Sequence, residues 1–320
     1  MKNSSFSAPG SVILAGEYGM LFGKPALASA VNLHTTINCS SKIKGRLLDG
    51  ISQLIVIEAK KYLKKHNLFI DQEEYFFQIT SEIPDSETFG YIDAKVVALT
   101  AQTVKIFSKK SFTNEEIHTI AYQTEKKLNK KELGIHCTAS FFGGLIYYRK
   151  EFEFLKNISA LNMKFPDVIE RRLFFVDTGE SEESIQDLEN FVSNGYNSNT
   201  KKIESIFQEM EKTVKRLVVS IAKEDYRFFQ ECIKQAEQLL EDLDIVSAFT
   251  KKVIRDIDQF GRAKVVGKGG RKNRSGYLLV CSEDERRLKE IINRYKLSYF
   301  KFNQSQKGLT QKINEKNHTS

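Results

Sequence analysis

The chain has 320 residues, 41% of them apolar, and a formal net charge of +8. That length and apolar content exclude a disordered chain and leave room for one large domain or two with their own cores. The basic balance favours anionic partners: nucleotides, phosphorylated metabolites, nucleic acid or an anionic membrane face. In chain order, Ser11–Ala15 reads as a strand, Ala26–Ala30 as a helix-like or transitional piece, and Thr35–Ser40 as a second strand. Leu54, Ile55, Ile57, Ala59, Tyr62 and Leu63 recur at helical spacing and predict a helix over Ile51–His66. Tyr75–Thr80 alternates like a strand, and Ala94–Phe107 reads as a buried helix. Thr113-Asn114-Glu115-Glu116 is a helix start leading into Ile117–Asn129. Phe141–Tyr148 reads as a glycine turn feeding a strand, and Leu173–Val176 as a strand ending at Asp177-Thr178-Gly179. Asn199–Lys223 and Asp225–Glu241 are long amphipathic helices, Tyr277–Cys281 is a strand, and the polar tail after Gln304 frays. Strands and helices interleave without regular βαβ alternation, which predicts an α+β fold.

Cys39, Cys137, Cys232 and Cys281 are far apart and include no C-x-x-C pair. That spacing argues against a disulfide framework or a structural zinc site and for a reducing compartment. The five histidines, His34, His66, His118, His136 and His318, are scattered, so no metal cluster is visible. The apolar run Val12–Ala15 is too short for a membrane span or a signal-peptide core, and a cytoplasmic protein is expected.

Three segments carry the chemistry. The run Ser7-Ala8-Pro9-Gly10-Ser11-Val12-Ile13-Leu14-Ala15-Gly16-Glu17-Tyr18, continuing through Gly23-Lys24-Pro25-Ala26, resembles the opening motif of the GHMP small-molecule kinases, in the mevalonate and phosphomevalonate kinase branch. The stretch Ile83–Ala94 followed by Lys95-Val96-Val97-Ala98-Leu99 is similar to that family's phosphate loop and the helix after it. Gly261–Val280, with Gly267, Gly269 and Gly270, resembles the family's last glycine-rich motif. The resemblance covers nearly the whole chain. It implies an α+β, two-domain fold with a ligand cleft between an N-terminal domain (1–150) and a C-terminal domain (151–304), followed by a polar tail (305–320).

The resemblance also implies site residues. Nucleotide contacts fall on Ser86, Thr88, Gly90, Gly267, Lys268, Gly269, Gly270 and Arg271. Substrate contacts fall on Glu17, Tyr18, Lys24 and Ser140; Glu125 would hold magnesium, and His136 stands where the family has its catalytic aspartate. The cofactors would be ATP and Mg2+, the partner an anionic small molecule, the assembly a homodimer, with no membrane.

The chemistry departs from the pattern. Ser11 stands in place of the usual lysine, Ser86 and Thr88 replace loop glycines, and Tyr91-Ile92 replaces the serine pair. Glycines let a loop point several N–H groups at one phosphate, and a small hydroxyl at the helix start helps hold magnesium. Glu87 and Asp93 instead bring negative charge to that place. Losing the lysine, the metal-side serine and the aspartate together removes several orders of magnitude in rate if each supplies a few kilocalories. Three readings follow. In the first, the chain is mevalonate-kinase-like with lost or much reduced ATP-dependent phosphotransfer and binds a metabolite or a partner. In the second, it is a divergent active kinase using Glu125, Lys264, Lys268 and Arg271. In the third, the cluster Lys264–Arg274 contacts nucleic acid; it has no interleaved aromatics apart from Tyr277 and ranks last.

Overall fold

A computed structural model describes residues 4–40, 48–70, 75–129, 133–152 and 154–313. The fold is α+β. The chain divides into two compact units, and it passes between them more than once. Unit 1 holds residues 1–11, 30–144 and 305–320, and unit 2 holds residues 12–29 and 145–304. One crossing between the units is at Gly144–Leu145, and residues 12–29 group with the later segment.

The first two strands run through both units. β1 (Ser4–Ala15) is longer than its apolar centre suggests. β2 (Ala26–Ser40) takes in the piece read as helix-like. Alanine favours helix, but Ala26–Ala30 are fully buried, and small side chains suit a strand covered on both faces.

In unit 1, α1 (Gly50–Lys65) starts at Asp49, whose carboxylate accepts the Ser52 N–H. β3 (Phe76–Ser81) pairs antiparallel with Thr35–Ser40 of β2. α2 (Tyr91–Phe107) is buried along most of its length. It packs on α1, on α3 (Asn114–Leu128) and on α4 (Ile135–Phe142). α3 opens with the expected start as a reciprocal capping box between Thr113 and Glu116. The sequence reading assigns no element to α4 before the turn expected from Phe141. α4 is a short helix begun by Gly134, where a Cβ would meet the Tyr122 ring at 2.1 Å.

In unit 2, β4 (Leu145–Phe152) pairs with Ala26–Ser29 of β2 and with β5 (Leu155–Leu161). A short turn of helix, α5 (Asp167–Glu170), leads to β6 (Leu173–Asp177). α6 (Ile185–Ser198), α7 (Thr200–Ala222), α8 (Tyr226–Asp242) and α9 (Ala248–Ile257) follow, each with a side-chain N-cap. β7 (Gly261–Val266), β8 (Tyr277–Ser282), α10 (Glu285–Tyr295) and β9 (Ser298–Lys301) complete the unit. The antiparallel sheet β7-β8-β6-β9 is covered by an apolar core that includes Phe174, Leu188, Phe207, Leu240, Ile254 and Leu288.

The stretch expected to fray contains β10 (Thr310–Ile313), which pairs with Ser4–Ser7 of β1 in unit 1. Its four residues carry no apolar alternation, so pattern gave no sign of a strand there. None of the four cysteines forms a disulfide. Among the described residues no helix is long and apolar enough to cross a membrane.

Candidate active site

The candidate residues of unit 1 gather where the loop before α2 meets α4. Ile83, Thr88 and Phe89 are buried, and a single 3-10 turn (Glu87–Phe89) carries the chain to Gly90. The Glu87 side chain lies outside the described residues. Gly90 is left-handed (φ +59°), and a Cβ there would stand 3.0 Å from Ser11 Oγ and 3.1 Å from His136 Nδ1. Those two side chains touch: Ser11 Oγ lies 2.9 Å from His136 Nδ1, and its hydroxyl also reaches the His136 carbonyl at 3.4 Å. Ser11 is fully buried on β1; His136 is half-buried in the first turn of α4.

Ser140, one turn further along α4, is fully buried, and its Oγ has no hydrogen-bond partner among the described residues. Glu125 is buried on α3, while Ser86 is half-buried in the loop.

The start of α2 is occupied by the chain's own groups. No side chain caps it, and Asp93 sits in its first turn. The buried Lys95 places its ammonium 4.5 Å above the Tyr91 ring and 3.3 Å from Asp49 Oδ2. Burial pushes the Asp49 carboxyl up, but the Ser52 N–H and the Lys95 charge outweigh it and hold the group below its ordinary range. A cradle for magnesium-triphosphate needs small hydroxyls and open N–H groups at this point. A tyrosine ring, a lysine lying over it and an aspartate in the first turn fit that role poorly. Among the described residues no cluster of three His, Cys, Asp or Glu side chains could hold a metal ion.

The candidate residues of unit 2 form a second group. Lys264, on β7, is fully buried and donates to Glu17 Oε1 at 2.5 Å and to the Val265 carbonyl at 2.6 Å. Glu237, on α8, accepts the Val265 N–H at 2.7 Å. Burial pushes the Glu237 carboxyl up to about 8, although the Val265 N–H and the Lys264 charge pull it down. Tyr18, adjacent to Glu17, has φ +49° and ψ −42°, an uncommon conformation for a side chain of this size. Its hydroxyl donates to the Lys268 carbonyl, so Glu17 holds β7 through Lys264 while Tyr18 braces the glycine turn after it. Within that turn, a Cβ on Gly269 would stand 2.7 Å from the Ile245 carbonyl oxygen, and one on Gly270 would stand 2.3 Å from Ser181 Oγ. Gly267 is left-handed too, at φ +87°. Lys24 pairs with Glu204 at 2.6 Å.

The basic cluster is not a row of free cations. Lys264 is committed to Glu17, Arg271 lies 3.7 Å over the Phe191 ring, and Arg274 lies 3.6 Å over the Phe249 ring. Sequence reading brought Ser11 and His136 to notice but missed Lys95 and Glu237. Both carried a signal: each is a lone charge on the apolar face of a helix, Lys95 among Ala94, Val96 and Val97, and Glu237 one turn from Ile233 and beside Ala236.

No family model matches the chain. A mevalonate kinase of Pyrococcus abyssi is 28% identical over 298 residues, which cover 82% of this chain and 85% of that one. The crystal structure of the Methanococcus jannaschii mevalonate kinase superposes with a TM-score of 0.75 at 17% identity, covering 94% of this chain and 98% of that one. The Lin0012 protein of Listeria innocua superposes with a TM-score of 0.79 at 15% identity, covering 98% of this chain and all (100%) of that one. Likeness in sequence to mevalonate kinases and likeness in fold across nearly the full length agree: in both, the chain resembles mevalonate kinases.

Proposed function

We propose that the protein is a mevalonate-kinase-like member of the GHMP kinase superfamily in which ATP-dependent phosphoryl transfer is lost or much reduced, and that it binds an anionic metabolite, in the cytoplasm, in place of turning over a hydroxy acid. The observation that carries this reading is the contact of Ser11 Oγ with His136 Nδ1 at 2.9 Å. The resemblance places a lysine and an aspartate at these two positions. A hydroxyl and an imidazole keep the geometry of a linked pair without a fixed cation or a fixed anion. Phosphoryl transfer rests on positioning and charge neutralisation, so exchanging a lysine and an aspartate for a hydroxyl and an imidazole removes what the reaction uses most. The occupied start of α2 and the commitment of Lys264 to Glu17 support the same reading.

One observation favours a second reading. The Ser11 hydroxyl on Nδ1 fixes the His136 ring, as an orienting partner does for a histidine base. An active kinase of this kind would take the proton of the substrate hydroxyl on His136, with ATP and Mg2+ supplying the phosphoryl group.

The test is turnover of mevalonate-type alcohols with magnesium-ATP by the wild-type protein, His136→Ala and the double variant Ser11→Lys/His136→Asp. The expected result is negligible wild-type turnover, no change with His136→Ala, and a gain in the double variant. Wild-type turnover on the order of 10 per second, a typical enzyme value, refutes the main reading; its loss in His136→Ala establishes the second.

A further inference from the structure

The turn after Gly270 holds an anion-binding arrangement that the chain fills with its own carboxylate. Glu183 Oε2 accepts the Arg271 N–H at 2.7 Å and the Lys272 N–H at 3.1 Å. Two successive backbone N–H groups aimed at one oxygen form a nest, the geometry that proteins use for phosphate oxygens. The turn that makes it is set by its own bonds: Arg274 N–H reaches the Lys272 carbonyl at 2.6 Å, and Asn273 is left-handed at φ +52°.

The strap that delivers the carboxylate is anchored on both sides. Ser181 Oγ accepts the Glu183 N–H at 3.1 Å and packs where only a glycine fits at position 270. Asn273 Nδ2 donates to Glu182 Oε1. Ser184 then caps α6.

The guanidinium beside the nest is less well served than the N–H groups. Arg271 is stacked on Phe191, which fixes its plane, yet its carboxylate contacts are long: Glu183 Oε1 at 3.9 Å and Asp244 Oδ2 at 3.5 Å. A planar carboxylate tied to the strap satisfies the two N–H groups and leaves the preorganised fork without an acceptor nearer than 3.5 Å among the described residues. A tetrahedral phosphate has an oxygen for the nest, others for the fork, and up to twice the charge.

We propose that the nest of Arg271 and Lys272, with the Arg271 guanidinium, is a binding site for a phosphate group, and that Glu183 is its built-in occupant, displaced when the phosphate enters. This deepens the reading above, since it rests on an anionic ligand and assigns the place of its phosphate. Glu183 then sets the affinity threshold: only a dianionic group that reaches both N–H groups and the fork outcompetes it.

The probe is inorganic phosphate, titrated calorimetrically at constant ionic strength into the full chain. It requires neither the true ligand nor catalysis, so its outcome is separate from the turnover test. Wild-type protein binds weakly. Glu183→Gln tightens phosphate by about tenfold, the scale of removing one charge-assisted competitor. Glu180→Gln, with the same change in net charge three residues away, leaves affinity within about twofold. Arg271→Gln in the Glu183→Gln background abolishes the gain. Equal effects of the two glutamate variants mean a general charge effect and overturn the proposal, as does the absence of phosphate binding in Glu183→Gln. A folded state for each variant is checked by its far-ultraviolet circular dichroism.

Discussion

Glu17 and Lys264 join residues far apart in sequence across the interior of unit 2, and breaking them is the sharpest test of how this group is held. The side chains are 5% and 0% exposed and 2.5 Å apart, so water screens the pair little. Removing one partner of a buried pair leaves an uncompensated charge and costs about 3–5 kcal/mol. Glu17→Leu strands the Lys264 ammonium, whose other acceptor is the Val265 carbonyl. Lys264→Met strands the Glu17 carboxylate next to a region that already holds Glu237. The double variant removes both charges and replaces them with apolar groups, so it is expected to recover about 2 kcal/mol or more of the summed loss. The chain has no tryptophan, so urea unfolding is followed by far-ultraviolet circular dichroism at neutral pH. Single variants that each lose less than about 1 kcal/mol, or a double variant additive within about 0.5 kcal/mol, would refute the argument that burial makes this pair strong.

Two further outcomes follow from single residues. Glu237 has a folded-state value of about 8 against an ordinary 4.5, so between those values the folded chain holds a proton that the unfolded chain releases. Its contribution is therefore fully present below about 4.5 and is lost as pH rises towards about 8. Glu237→Gln, which keeps an acceptor for the Val265 N–H, flattens that fall in a pH series of unfolding midpoints; an unchanged slope refutes the assignment. Gly134→Ala meets both a left-handed backbone (φ +87°) and the Tyr122 ring, and destabilises unit 1 by about 1–3 kcal/mol in thermal unfolding. A neutral effect would mean that α4 does not need its glycine start.

The sequence was legible where a pattern is local. The helices α1, α2, α7 and α8 follow apolar spacing, and Thr113 with Glu116 marks α3 in four letters. The piece Ala26–Ala30 was misread because alanine propensity is a local quantity and its burial on both faces is not. α4 is eight residues long and mixes β-branched and aromatic side chains, so its helical form depends on packing against α2. β7 was hidden by Lys264, a charge at a buried position that makes sense only once Glu17 is seen beside it. The candidate site shows the same division. Departures from the resembled motif could be read residue by residue, but the meeting of Ser11 with His136 and the seating of Glu183 on the turn at Arg271 are tertiary facts with no local trace.

The chain path has a consequence for synthesis. Unit 1 closes only when β10 pairs with Ser4–Ser7, and when the Ser305 N–H reaches the Ala30 carbonyl. Residues 145–304 lie between its last internal segment and those closing ones. On a ribosome the early strands must therefore wait, with the β10-facing edge of β1 open along that stretch, while unit 2 is made and emerges. Unit 2 needs only Val12–Ser29 and its own later segment, so it can be complete first. A chain stopped at Gln304 would carry every residue of the second unit and a first unit still open at an edge, a species that a holding chaperone would recognise and that would aggregate without one.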